Sequence, residues 1–227
     1  WGDSIRAYGL GASLILVAFP LVWAASVKSS PQRIAAASIA AVASVQCLYS
    51  NVPLLAAVVA GCAVAALRRG DARRALIPIG IGAVAAITLL PYAVIIRRAA
   101  AWSMLCFGAP MLEMEVHTVF GACGRIVLMG WIVVGLSGLL AGAVAFARRA
   151  DDAQRDLAIC GGAILAATTV GYPLFLRTLH YQTKPWYYVP FVALLVVAAE
   201  AALPALMSGW RTRIARIVLA IAITAAT

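Results

Sequence analysis

Seven apolar stretches, each about 16 to 22 residues long and closed by short polar loops, constrain this chain more than any other feature. They run over 9–27, 34–49, 52–67, 75–96, 126–147, 157–176 and 189–207, and an eighth starts near Arg216 and reaches Thr227. Helices of that length match the ~30 Å hydrocarbon core of a bilayer at a rise of 1.5 Å per residue. A helix on a soluble domain needs one polar face for water, repeated every 3.6 residues. These stretches are apolar all round. The chain therefore reads as all-α, a polytopic transmembrane helix bundle of about seven to eight spans.

Hydrophobic residues make up 64% of the 227 and charged residues only 11%, against ~25% charge in an average soluble domain. Abundant Ala and Gly suit close helix packing in lipid. Residues 1–227 read as a single transmembrane helical domain with no room for a separate soluble one. The opening Trp1-Gly-Asp-Ser and the apolar finish mark it as an internal or C-terminal fragment of a longer chain, with a first outer loop upstream.

The net charge of +10 could suggest nucleic acid, but the cations are not gathered into one groove-tracking patch. They alternate with the spans instead. Loops 28–33, 68–74, 148–156 and 208–216 hold twelve basic residues, and segments 1–8, 97–125 and 177–188 hold six. By the positive-inside rule the first set is cytoplasmic and the second extracytoplasmic. The expected location is the cell's inner (plasma) membrane, multi-pass. Asp71, Asp151, Asp152 and Asp156 read as solvated loop-end partners for the arginines, and Pro31 and Gly70 mark tight turns.

Residues 34–67 must cross twice with about 16 residues per span, at the lower limit. The hairpin turns on Tyr49-Ser50-Asn51 with Pro53 just after. This is either a plain outer turn or a recessed one, with Tyr49 and Asn51 on a cavity floor. Cys47, Cys62 and Cys160 fall within spans as small core residues. Glu200 is the one carboxylate well inside a span, and such residues ordinarily face the bundle interior.

The chemistry-bearing residues concentrate on the outer side. Loop 97–125 carries Trp102, Cys106, Glu113, Glu115, His117 and Cys123. Glu113 and His117 share a helix face at i, i+4, but one pair falls short of the three or four ligands of a metal site. A disulfide between Cys106 and Cys123 is allowed and not fixed by spacing. Two further segments stand out. Gly2–Leu10 places Arg6 and Tyr8 just before the first span. Arg177–Tyr188 packs Arg177, His180 and Lys184 among Tyr181, Trp186, Tyr187 and Tyr188. Trp and Tyr belts with snorkelling cations anchor any helix at an interface. The same residues can also hold an anionic lipid head group, cations on phosphate oxygens and rings along a chain or sugar.

The run Arg6-Ala-Tyr8-Gly-Leu10 entering a span resembles the Arg-x-Tyr-Ala/Gly-Leu segment of polyprenyl-phosphate-sugar-dependent membrane glycosyltransferases. These are the enzymes related to protein O-mannosyltransferases (family 39) and their lipopolysaccharide-modifying relatives. Lys184-Pro-Trp-Tyr-Tyr188-Val-Pro190 is similar to their Pro-(Arg/Trp)-Tyr segment, and Tyr49-Ser50-Asn51 to their Tyr-x-(His/Asn) turn. Elsewhere the resemblance is of helix pattern only. It implies a glycosyltransferase of the cell envelope whose active face is extracytoplasmic. A sugar would pass there from a lipid-linked donor to a lipid, glycan or protein acceptor, often with a divalent metal. The family's catalytic Asp matches no residue here, Asp3 lying inside the later segment. The fragment alone is therefore expected to be inactive, with the catalytic residue upstream. The substrate-binding candidates are Arg6, Tyr8, Arg177, Tyr181, Lys184, Trp186 and Tyr187; the partners are a lipid-linked sugar donor and membrane lipids, without nucleic acid. A multispan transporter, an O-antigen polymerase or ligase and a non-catalytic scaffold remain alternatives.

Overall fold

The structure, a computed structural model, describes residues 2–92, 94–95, 124–147, 153–179, 185–205 and 214. Among them the chain is all-helical. Its long helices are α1 (Gly2–Val27), α2 (Pro31–Cys47), α3 (Asn51–Arg68), α4 (Ala72–Ile87), α5 (Gly124–Ala147), α6 (Ala153–Leu179) and α7 (Val189–Ala202). Single 3₁₀ turns lie at Leu90–Tyr92, Pro185–Tyr188 and Leu203–Ala205. Each of the seven apolar stretches thus corresponds to one of these helices; the fourth, expected over 75–96, gives way at Ile87 to the Leu90–Tyr92 turn. The eighth, beyond Arg216, lies outside the described residues. Among the described residues four helices are long and apolar enough to cross a membrane: Ala7–Val27, Asn51–Arg68, Ala72–Tyr92 and Ala153–Leu176. The apolar parts Ile132–Ala147 and Val189–Ala202 are shorter.

Local chemistry sets the breaks. Ser30 caps α2 by accepting from the Arg33 amide at 3.3 Å, with Pro31 in the first turn, where a missing N–H costs nothing. Asp71 caps α4 by accepting from the Arg74 amide at 3.0 Å. Between α3 and α4, Gly70 takes φ +76°, a left-handed conformation that side chains resist.

α6 is the central helix. Its run Cys160-Gly161-Gly162 turns about 100° per residue, so each member meets a different neighbour. The Cys160 sulfur lies 3.7 Å from that of Cys62 on α3, both fully buried. A methyl on Gly161 would come within 2.5 Å of the Ala198 carbonyl on α7, and one on Gly162 within 2.7 Å of the Gly142 backbone on α5. α3 returns the approach at Gly61, where a methyl would sit 2.8 Å from the Cys160 carbonyl. Without a hydrophobic drive between helices in lipid, such close backbone packing holds a bundle together. α1 packs on α2, α3 and α7, and α4 flanks α3 at the edge of the bundle.

The helices alternate in direction. One end gathers Val27, Arg68, Arg69, Arg74, Phe146, Gln154, Asp156 and Pro204. The other gathers Ala7, Tyr8, Gln46, Tyr49, Thr88, Phe175 and Tyr187. This is the grouping that the loop charges required.

Glu200 corrects an expectation. It lies exposed on α7, two residues from the helix end at Ala202.

Candidate site at the aromatic end

The aromatic end is built from three segments far apart in the chain. Tyr8, half-buried in the second turn of α1, meets Tyr187 edge-on with ring centroids 5.1 Å apart. Tyr187 belongs to the Pro185–Tyr188 turn, which feeds directly into α7. Tyr49, at the turn between α2 and α3, lies 5.6 Å from the Phe175 ring on α6. Contacts of this kind between aromatic rings contribute ~0.5–1.5 kcal/mol beyond the area they bury.

Beneath these rings the Tyr49-Ser50-Asn51 turn is recessed. Asn51 is fully buried, and its Nδ2 donates to the Gly11 carbonyl on α1 at 2.9 Å. The Ser44 carbonyl and hydroxyl oxygens on α2 lie 3.2 and 3.0 Å from the same nitrogen. A methyl on Gly11 would press to 2.9 Å from Leu48 and 3.4 Å from Asn51, so the glycine admits the turn. Asn51 thereby latches the short hairpin to α1, and the turn supplies polar atoms below the surface. Asn51 Oδ1 and Ser50 Oγ are covered and have no hydrogen-bond partner. The first amides of α3 bond inside the turn, Asn51 to the Leu48 carbonyl at 2.9 Å and Val52 to that of Tyr49 at 3.0 Å, and Pro53 has none. This helix N-terminus therefore offers no free donors to an anion.

The sequence-derived candidates fall as follows. Tyr8 and Tyr187 are brought into contact. The backbone of Arg6 lies on α1 half a turn before Tyr8, that of Trp186 in the same turn as Tyr187, and that of Arg177 in the last turn of α6. Tyr181 and Lys184 lie outside the described residues, as do His180 and the loop residues Trp102, Cys106, Glu113, Glu115, His117 and Cys123. Sequence reasoning missed Tyr172. It is fully buried on α6, its hydroxyl donates to the Tyr187 carbonyl at 2.6 Å, and its ring stacks on Phe191 at 5.0 Å. The available signal was a phenol inside an apolar span, which must find a hydrogen-bond partner.

Among the described residues no group of three His, Cys, Asp or Glu side chains converges. The polar side chains described at this end include tyrosine hydroxyls, Ser50, Asn51, Gln46 and Thr88. These neutral oxygens do not fit a divalent cation, which is held through carboxylates. From this end an open groove of about 590 Å³ runs along α3 and α4, lined by Val52, Ala56, Ala60, Ile79, Ala83 and Ala86 among others. Its walls offer hydrocarbon contact and no head-group chemistry. Chemically, the aromatic end can line a chain or a sugar with rings. No family model, curated protein or solved structure matches this chain.

Proposed function

We propose that the chain is the donor-binding membrane domain of a polyprenyl-phosphate-sugar-dependent glycosyltransferase. In this reading seven helices cross the plasma membrane, an eighth begins near Arg216, and the aromatic end is extracytoplasmic. Arg6, Arg177 and Lys184 hold the phosphate oxygens of the lipid-linked donor. Tyr8, Tyr181, Trp186 and Tyr187 line its sugar or the first part of its chain. The sugar then passes to a lipid, glycan or protein acceptor, and the base that takes the acceptor proton lies outside these residues.

One observation carries the reading. Tyr8 and Tyr187, 179 positions apart in the chain, stand ring against ring, so the two segments that bear the resemblance share one site. A belt of independent anchors does not require them to meet. A transporter draws less support. It uses pairs of broken helices near mid-membrane, whereas α1, α4 and α6 each run continuously through an internal proline.

The test is donor-lipid affinity in lipid nanodiscs for Arg6→Ala and Lys184→Ala, with folding checked separately. A charge-assisted contact in a partly dry site contributes ~1.5–3 kcal/mol, so each variant should bind about 10- to 150-fold more weakly. Unchanged affinity in both would leave an interfacial belt and overturn the reading.

A further inference from the structure

We propose that Tyr172 is a positioning residue for this site: its buried hydroxyl fixes the backbone at Tyr187 and so sets how the Pro185–Tyr188 turn meets a phosphate-bearing lipid. The inference rests on the donor-site reading above.

A tyrosine side chain with no exposed surface must bury its hydroxyl against an acceptor. The acceptor here is not a carbonyl of its own helix but that of Tyr187, 15 residues later, at 2.6 Å. A single 3₁₀ turn leaves carbonyls without regular partners, and the phenol satisfies one of them. The ring that aims this hydroxyl is itself held on two sides. Phe191 stacks on it at 5.0 Å with planes 27° apart, and Tyr188 meets it edge-on at 6.0 Å. Tyr188 closes the triangle on Phe191 at 6.3 Å. Prolines stiffen both attachments, Pro173 directly after Tyr172 and Pro190 in the first turn of α7, because each fixes its own φ and restricts its predecessor. The turn is thus oriented before any ligand arrives. Its Tyr187 ring carries that orientation across to Tyr8 on α1. One hydroxyl joins α6, α7 and α1 at the point where the donor would sit.

Tyr172→Phe keeps the ring and removes only the hydroxyl. With polyprenyl phosphate in nanodiscs as the probe, it should bind about 3- to 10-fold more weakly, the fold-change of roughly one neutral hydrogen bond. A nitroxide on Thr183→Cys should also move faster in the ligand-free Tyr172→Phe protein than in its parent. Ile164→Val, a buried change on the same helix, should lower stability while leaving affinity and nitroxide motion unaltered. Wild-type affinity in Tyr172→Phe beside weakened binding in Lys184→Ala would overturn the positioning role and leave the donor site standing. Wild-type affinity in both would overturn the two together. Reduced stability in Tyr172→Phe without faster nitroxide motion would reduce Tyr172 to a packing residue and likewise overturn it.

Discussion

The two ends of this bundle are fastened by different chemistry. At the basic end, the described arginines close off neighbouring helices. Arg74 Nη1 donates to the Val27 carbonyl at the end of α1 at 2.7 Å, and Arg68 Nε donates to the Phe146 carbonyl near the end of α5 at 3.0 Å. Cations at helix C-termini complement the macrodipole and satisfy carbonyls that the helix leaves open. Arg69 pairs with Asp156 on α6 at 3.4 Å and lies over the Trp23 ring at 5.8 Å. All three belong to one short stretch, residues 68–74, which ties α1, α5 and α6 together. At the aromatic end the fastening is done by rings, by the Tyr172 hydroxyl and by the Asn51 amide, all neutral. The lesson is that a positive face in a membrane protein is not by itself a binding face. Here the described arginines of the basic end are occupied with holding helices, and the other end is walled by neutral aromatic rings.

That contrast can be broken outright by topology. Single cysteines at Ser103 and Thr183, in a background lacking native cysteines, should label on intact cells with an impermeant thiol reagent, whereas those at Ala153 and Ser208 should not. The reverse pattern would exchange the two ends and cancel every assignment built on them. Next in size is the neutral latch. Asn51→Ala removes a buried amide that bridges α1 and α2 and leaves a small void, at a cost of roughly 2–4 kcal/mol. Denaturant unfolding in mixed micelles should register this loss, with no dependence on salt. At the opposite end, Asp156→Ala strands the Arg69 guanidinium, whose Nε and Nη2 are already covered without acceptors. The pair retains 19% and 16% exposure, so the expected cost is about 1–3 kcal/mol, between exposed and fully buried pairs. Donor affinity should stay at the parent value. A parallel loss of affinity would mean that the basic end takes part in binding. The smallest effect belongs to Arg74→Ala, about 1 kcal/mol or less, since its partner Asp71 is 38% exposed. That effect should shrink in high salt; a salt-independent loss would place the contribution in the Val27 hydrogen bond alone.

Helix positions were legible in the sequence because continuous hydropathy needs no partner information. The same held for the alternation of ends, which the basic residues encode locally, and for the breaks at Pro31 and Gly70. The tight hairpin was legible as a length problem, but not its solution. That Asn51 would reach Gly11 depends on α1 passing alongside, which no spacing within 34–67 contains. Tyr8 and Tyr187 were readable as members of two polar segments, and only the bundle could bring the segments together. Tyr172 was hidden for the opposite reason: an aromatic residue within an apolar run looks like core until its hydroxyl is asked for a partner. Glu200 misled because the face it takes on α7, rather than its place in an apolar stretch, decides its burial, and that face is exposed.

Cys160-Gly161-Gly162 has a mechanical consequence. A helix meshed with three others through consecutive residues behaves like a gear engaged on three sides, and it cannot turn. Rotating α6 by a single position would drive the Cys160 side chain toward the backbone that Gly161 now clears, and would lift the thiol away from Cys62 at the same moment. Any rearrangement of the bundle that keeps these contacts must leave this shaft fixed. The contrast is with α4 at the periphery, whose membrane-length stretch is only 22% buried against 50% for that of α6, so fewer of its residues are engaged by neighbours.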